Sequence, residues 1–69
     1  MEKRMYSKRE LAQLYCPNHT PANARKTLYR WIHKVPGLMD QLYAIGYNPS
    51  RNSFLRREVE LIVYHLGEP

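Results

Sequence analysis

The chain has one cysteine, one phenylalanine, one tryptophan and three glycines in 69 residues. A single thiol excludes an internal disulfide framework, so packing must stabilise the fold. The few glycines form no Gly-rich phosphate loop. Acidic residues are scarce: six, against eleven Lys and Arg, with none between Glu10 and Asp40. Asp40 is the only Asp, and Glu58 and Glu60 sit two apart on one helix pattern, pointing in different directions. His19, His33 and His65 have no evident carboxylate to orient them. Without an activated nucleophile or acid–base pair, the chain does not read as an enzyme. C16-P-N-H19 has the spacing of half a zinc site, but there is no second Cys and the other histidines are distant. Structural zinc takes four ligands, so no metal is expected, and nothing points to a cofactor or a small-molecule substrate. No apolar run approaches the roughly 20 residues of a membrane span. No secretory hydrophobic segment follows Met1. The expectation is a cytoplasmic chain with no membrane attachment.

Positive charge is what the chain has in excess. The net charge is +5 and the pI about 9.7. That balance favours a polyanionic partner, nucleic acid first and an anionic membrane surface second. The length suits one small domain, which hides only about 60% of the surface its unfolded chain exposes. Residues 1–6 read as a flexible basic arm and 7–69 as the domain.

The central stretch runs from Thr20 to Val35. Thr20 is a candidate helix N-cap and Pro21 suits the first helical position. At helical spacing Ala24, Leu28, Trp31, Ile32 and Val35 gather on one side. The other side carries Asn23, Lys26, Thr27, Tyr29, Arg30, His33 and Lys34, with Arg25 on the flank. Surface helices normally mix charge signs, and this face has no carboxylate. Its cations, amide and hydroxyls suit phosphates and base edges.

The remaining elements fall around that helix. S7-K-R-E10 has the capping-box pattern for a first helix with Leu11, Leu14 and Tyr15 inward and Lys8, Arg9 and Gln13 outward. Pro17 stops it by Cys16, and Pro36-Gly37 closes the second. A third helix covers about Leu38 to Ile45, its end marked by Gly46, with Tyr47 folding back on Leu42. Tyr47–Phe54 reads either as a polar connector or as a small wing-like β-ribbon with Arg51 near its tip. A fourth helix runs from about Phe54 to Leu66, with Ser53 as a cap and an Arg56–Glu60 pair. The fold class expected is all-α, four short helices in a compact helix-turn-helix arrangement.

Y6-S-K-R-E-L-A-Q-L-Y15 resembles the opening helix of excisionase-like and MerR-like domains. T27-L-Y-R-W-I32 is similar to their recognition helix, and R57-E-V-E-L-I62 to their helix after the wing. Over its whole length the chain resembles a domain-of-unknown-function family of short Bacteroidetes proteins. The shared features are E10-L-A-Q-L-Y15, the T20-P-A-N-A24 centre leading to W31-I32, and L61-I-V-Y-H-L-G-E-P69. Measured against the repressor-type and excisionase-like helix-turn-helix domains, the departures are a glycine-free five-residue turn at Cys16–Thr20, an inserted third helix, and Leu55-Arg56 where those relatives cap the last helix with Thr-Pro.

These patterns imply a non-catalytic DNA-binding domain, a small transcriptional or mobile-element regulator with helix 21–35 in the major groove. Base edges of double-stranded DNA fall to Asn23, Lys26 and Thr27. Phosphates fall to Lys8, Arg9, Arg25, Arg30, Lys34 and Arg51, with Tyr29 and His33 suited to either. The alternative is a protein–protein interaction module using a C-terminal apolar patch of Phe54, Leu61 and Tyr64. The same patch suits a homodimer, which would enlarge an otherwise small interface.

Overall fold

The computed structural model describes residues 1–69. A short strand β1 (Tyr6–Ser7) leads into α1 (Lys8–Tyr15), then α2 (Pro21–Lys34), α3 (Leu38–Ala44), strand β2 (Ser53–Phe54) and α4 (Arg56–Leu66). Four helices and one small antiparallel ribbon enclose a single core. No helix is long and apolar enough to cross a membrane.

Local chemistry sets the helix ends. Ser7 Oγ accepts the Glu10 N–H and the Glu10 carboxylate accepts the Ser7 N–H, each at 3.0 Å, which closes the capping box. Thr20 Oγ1 accepts the Asn23 N–H at 3.3 Å, with Pro21 opening α2. Past α3, Gly46 takes φ +92°. The Gly46 and Tyr47 N–H groups then donate back to the Tyr43 and Leu42 carbonyls, a Schellman ending.

Tyr47–Phe54, which the sequence leaves open between a polar connector and a small ribbon of its own, forms no hairpin. β2 pairs instead with β1, Tyr6 opposite Phe54 and Ser7 opposite Ser53. Turn bonds explain why. Ser50 N–H donates to Asn48 Oδ1, and Arg51 N–H to the Asn48 carbonyl, so 48–51 coils locally and leaves β2 to find another edge. Tyr47 and Phe54 still meet, as stacked rings with centroids 5.7 Å apart. Tyr6 therefore belongs to the domain and not to the arm: it is buried, and Met1 packs on the core with its amine 3.3 Å from Glu68.

The ribbon also moves the start of α4. Phe54 is held in β2, so the helix begins at Arg56 rather than Phe54. Ser53 does not cap it; the Glu58 carboxylate does, accepting the Leu55 N–H at 2.8 Å.

The core draws on every helix: Leu11 and Ala12 from α1, Ala24, Leu28 and Ile32 from α2, Leu38 and Leu42 from α3, Val59, Ile62 and Val63 from α4. Two residues expected inside lie outside. Trp31 is 36% exposed and Leu14 44%. The buried line of α2 is narrow, Ala24–Leu28–Ile32 at four-residue steps, and Trp31 falls at its margin, edge-on to Tyr15 with ring centroids 6.4 Å apart. On α1 the inward side is Lys8, Leu11, Ala12 and Tyr15, which rotates Leu14 outward.

Candidate functional site

α1 and α2 pack against each other, and the buried line of α2 fixes which side of it faces water. Asn23, Lys26, Arg30, His33 and Lys34 are exposed on that outer side, with Thr27 half-buried among them. Arg25 is exposed on the flank. The ion pairs of the fold are Met1–Glu68, Arg4–Glu2, Arg4–Glu10, Arg51–Glu58 and Arg56–Glu60. Arg25, Lys26, Arg30 and Lys34 enter none of them, nor does Arg9 on α1. One helix thus presents four cations without a carboxylate partner. Tyr29 is half-buried on the same helix; its hydroxyl lies 3.0 Å from that of Tyr47, and its ring meets His33 edge-on.

Two expected phosphate contacts are internal instead. Lys8 is only 9% exposed. Its Nζ donates to the Pro49 carbonyl at 2.8 Å. It also lies 5.2 Å from the Tyr47 ring centroid and 5.8 Å from those of Tyr29 and Phe54, within reach of all three ring quadrupoles. Burial, with Arg25 and Arg51 nearby, holds the ammonium below the usual lysine range, against an opposing pull from Glu58. The cause of its inward course is helical phase. Lys8 stands three, four and seven residues before Leu11, Ala12 and Tyr15, on their side of the helix.

Arg51 is the second correction. Its Nη2 donates to both oxygens of Glu58, at 2.5 and 2.6 Å, and its Nε to the Ser53 carbonyl at 3.1 Å. The Glu58 side chain is fully buried. An interior carboxylate needs a charge partner, so the guanidinium turns into the fold rather than out at the loop tip.

The C-terminal patch does not exist as drawn. Phe54 is 2% exposed, filled into the ribbon and the core, while Leu61 is half-buried and Tyr64 stands 82% exposed. Phe54 is drawn in by its pairing with Tyr6 and its stacking on Tyr47.

Between α2 and the loop after α3 lies a cavity of about 360 Å³. Lys8, Arg25 and Lys26 contribute charge to it, and Ala22, Leu28, Tyr29, Pro49 and Phe54 contribute apolar wall. The 48–52 segment thus stands beside the N-terminal half of α2. The cavity was not foreseen from the sequence: its two walls are far apart in the chain, and only the inward phase of Lys8 hinted at a buried cation. Elsewhere, burial and the Glu68 charge push the Tyr15 hydroxyl up to about 12, while it donates to the Gly67 carbonyl at 2.6 Å. Burial and the bond to Tyr29 raise that of Tyr47 further.

Residues 2–69 match the family described as Domain of unknown function (DUF4248), and the chain belongs to that family. No curated protein and no solved structure matches it.

Proposed function

We propose that this DUF4248 member is a non-catalytic DNA-binding domain, a small transcriptional or mobile-element regulator that lays α2 in the major groove. The observation that carries this reading is the outer side of α2. Arg25, Lys26, Arg30 and Lys34 are exposed there with no carboxylate within ion-pair distance, on a helix that contains no acidic residue. A surface built only for solubility places acids among its bases; this one leaves its cations free for an external anion. Asn23, Lys26 and Thr27, on the N-terminal half of α2, are the base readers: Asn matches the edge of adenine and Lys that of guanine. Arg25, Arg30 and Lys34, with Arg9 from α1, hold phosphates, and Tyr29 and His33 lie where either contact is open. Lys8 and Arg51 leave the set. Single modules of this size bury roughly 600–1,000 Å² on DNA, so a second copy or a partner protein is the natural way to raise affinity.

The test is binding to random-sequence duplex DNA by fluorescence anisotropy across a salt series, comparing the wild type with Arg30→Ala/Lys34→Ala. Each phosphate contact contributes about 0.9 to the slope of log affinity against log salt. Removing two should flatten the slope by about 1.8. Absent binding at low salt, or an unchanged slope in the double variant, would rule out α2 as the DNA-facing helix and turn attention to the Tyr64 side of α4.

A further inference from the structure

We propose that the cavity between α2 and the 48–52 segment is a binding site for an aromatic anion, a planar ring bearing a negatively charged group, with a nucleoside monophosphate as the fitting chemistry. This goes beyond DNA binding by the outer side of α2 and does not depend on it. Three observations converge. Lys8 is a buried cation with no carboxylate bonded to it: of the three donors an ammonium carries, one goes to the Pro49 carbonyl. Glu58, the nearby acid, is already taken by Arg51. Arg25 and Lys26 line the same cavity and enter no ion pair, so like charges converge there with only the Arg51-bound Glu58 to oppose them. Like charges disfavour one another, and an anionic ligand would turn that cost into attraction.

The rest of the wall selects the body of that ligand. Leu28, Phe54, Tyr29 and Pro49 offer apolar and aromatic surface, which suits a ring and leaves a bare inorganic ion half in contact with hydrocarbon. At about 360 Å³ the space belongs with small-molecule sites, which start near 300 Å³. A ring between Tyr29 and Pro49, over the edge of Phe54 at the floor, with its phosphate toward Lys8, Arg25 and Lys26, satisfies both halves. The same chemistry has two sources: a free nucleotide, or an unpaired nucleotide turned out of a nucleic acid.

The experiment is amide NMR of the full chain, titrated separately with thymidine 5′-monophosphate, thymidine and inorganic phosphate. The nucleotide should move the amides of Lys8, Ala22, Arg25, Tyr29 and Phe54 together. It should bind at least about tenfold more tightly than either fragment, the ratio expected from one charge-assisted contact added to a stacked ring. Arg25→Ala and Lys26→Ala, both at exposed positions, should each weaken it by about tenfold. Lys8→Met should abolish it, and if that variant does not fold the two surface variants decide. A second arm compares a fully paired duplex with one carrying a bulged thymidine. Preference for the bulge, with the Phe54 and Tyr29 ring signals perturbed, assigns the site to a nucleotide within nucleic acid. Binding of the free nucleotide alone assigns it to a soluble ligand. Ring signals that stay still with every probe at millimolar concentration, or equal affinity for phosphate and nucleotide, overturn the proposal. Duplex binding that depends on Arg30 and Lys34 while the cavity stays silent overturns it and leaves the DNA-binding reading intact.

Discussion

At the scale of single residues, Arg51 and Glu58 show how burial assigns roles that sequence position does not. Glu58 is fully buried and Arg51 is about a quarter exposed, so the two ends of the pair are not equivalent. Arg51→Met strands a carboxylate in the interior and also frees the Ser53 carbonyl. Glu58→Gln leaves a guanidinium that can still reach water, and the amide oxygen can go on capping Leu55. Breaking a buried pair from one side costs about 3–5 kcal/mol. Arg51→Met should therefore lower stability by about 3 kcal/mol, and Glu58→Gln by distinctly less, in urea unfolding at neutral pH. Equal losses would show that the unequal burial of the two ends does not set the cost. Lys8 teaches the same lesson in reverse. Its cationic side chain invited an outward reading, but its spacing to Leu11, Ala12 and Tyr15 already placed it inward.

Among the elements, the helix ends hold the chain to its course. Gly46 sits at φ +92°, and a Cβ there would meet only the end of the Arg57 side chain at 3.7 Å, an ordinary contact. The penalty of Gly46→Ala is then backbone conformation alone, about 1–2 kcal/mol. That shift should appear as a melting temperature lower by roughly 4–8 °C per kcal/mol for a domain of this size. What was legible in the sequence is of this local kind. The Ser7–Glu10 capping box, Thr20 with Pro21, the Gly46 ending and the Arg56–Glu60 pair each depend on residues within a few positions of one another, and each is present. The exposed cationic side of α2 was legible for the same reason, since helical period alone sorts it from the core. The strand partner of Phe54 was not, because Tyr6 lies at the other end of the chain and two-residue strands carry no periodicity. The start of α4 then shifted with it. Helical spacing groups Trp31 with the apolar side of α2, but a core this thin is filled by the narrower line of Ala24, Leu28 and Ile32 and leaves Trp31 at its margin.

For the molecule as a whole, α1 and α2 are neighbours in sequence and in space, while the ribbon joins residues from opposite ends of the chain. Bringing β1 and β2 together must close a loop that spans three helices, and the entropy of that closure is met before its contacts offer any return. The helical pair is thus the natural nucleus and the Tyr6–Phe54 pairing a late event. In stopped-flow kinetics, Phe54→Leu should speed unfolding while hardly changing the folding rate, with a φ-value near zero. Leu28→Ala, in the α1–α2 contact, should slow folding instead. A high φ-value at Phe54 would place the ribbon in the nucleus. If the ribbon does form last, the Pro49 and Phe54 wall of the cavity is also the last part of the molecule to close on the early α2 wall, and the first to open. Under that order, a ligand seated between them would act as a latch, lengthening the lifetime of the folded state without altering how fast it is reached.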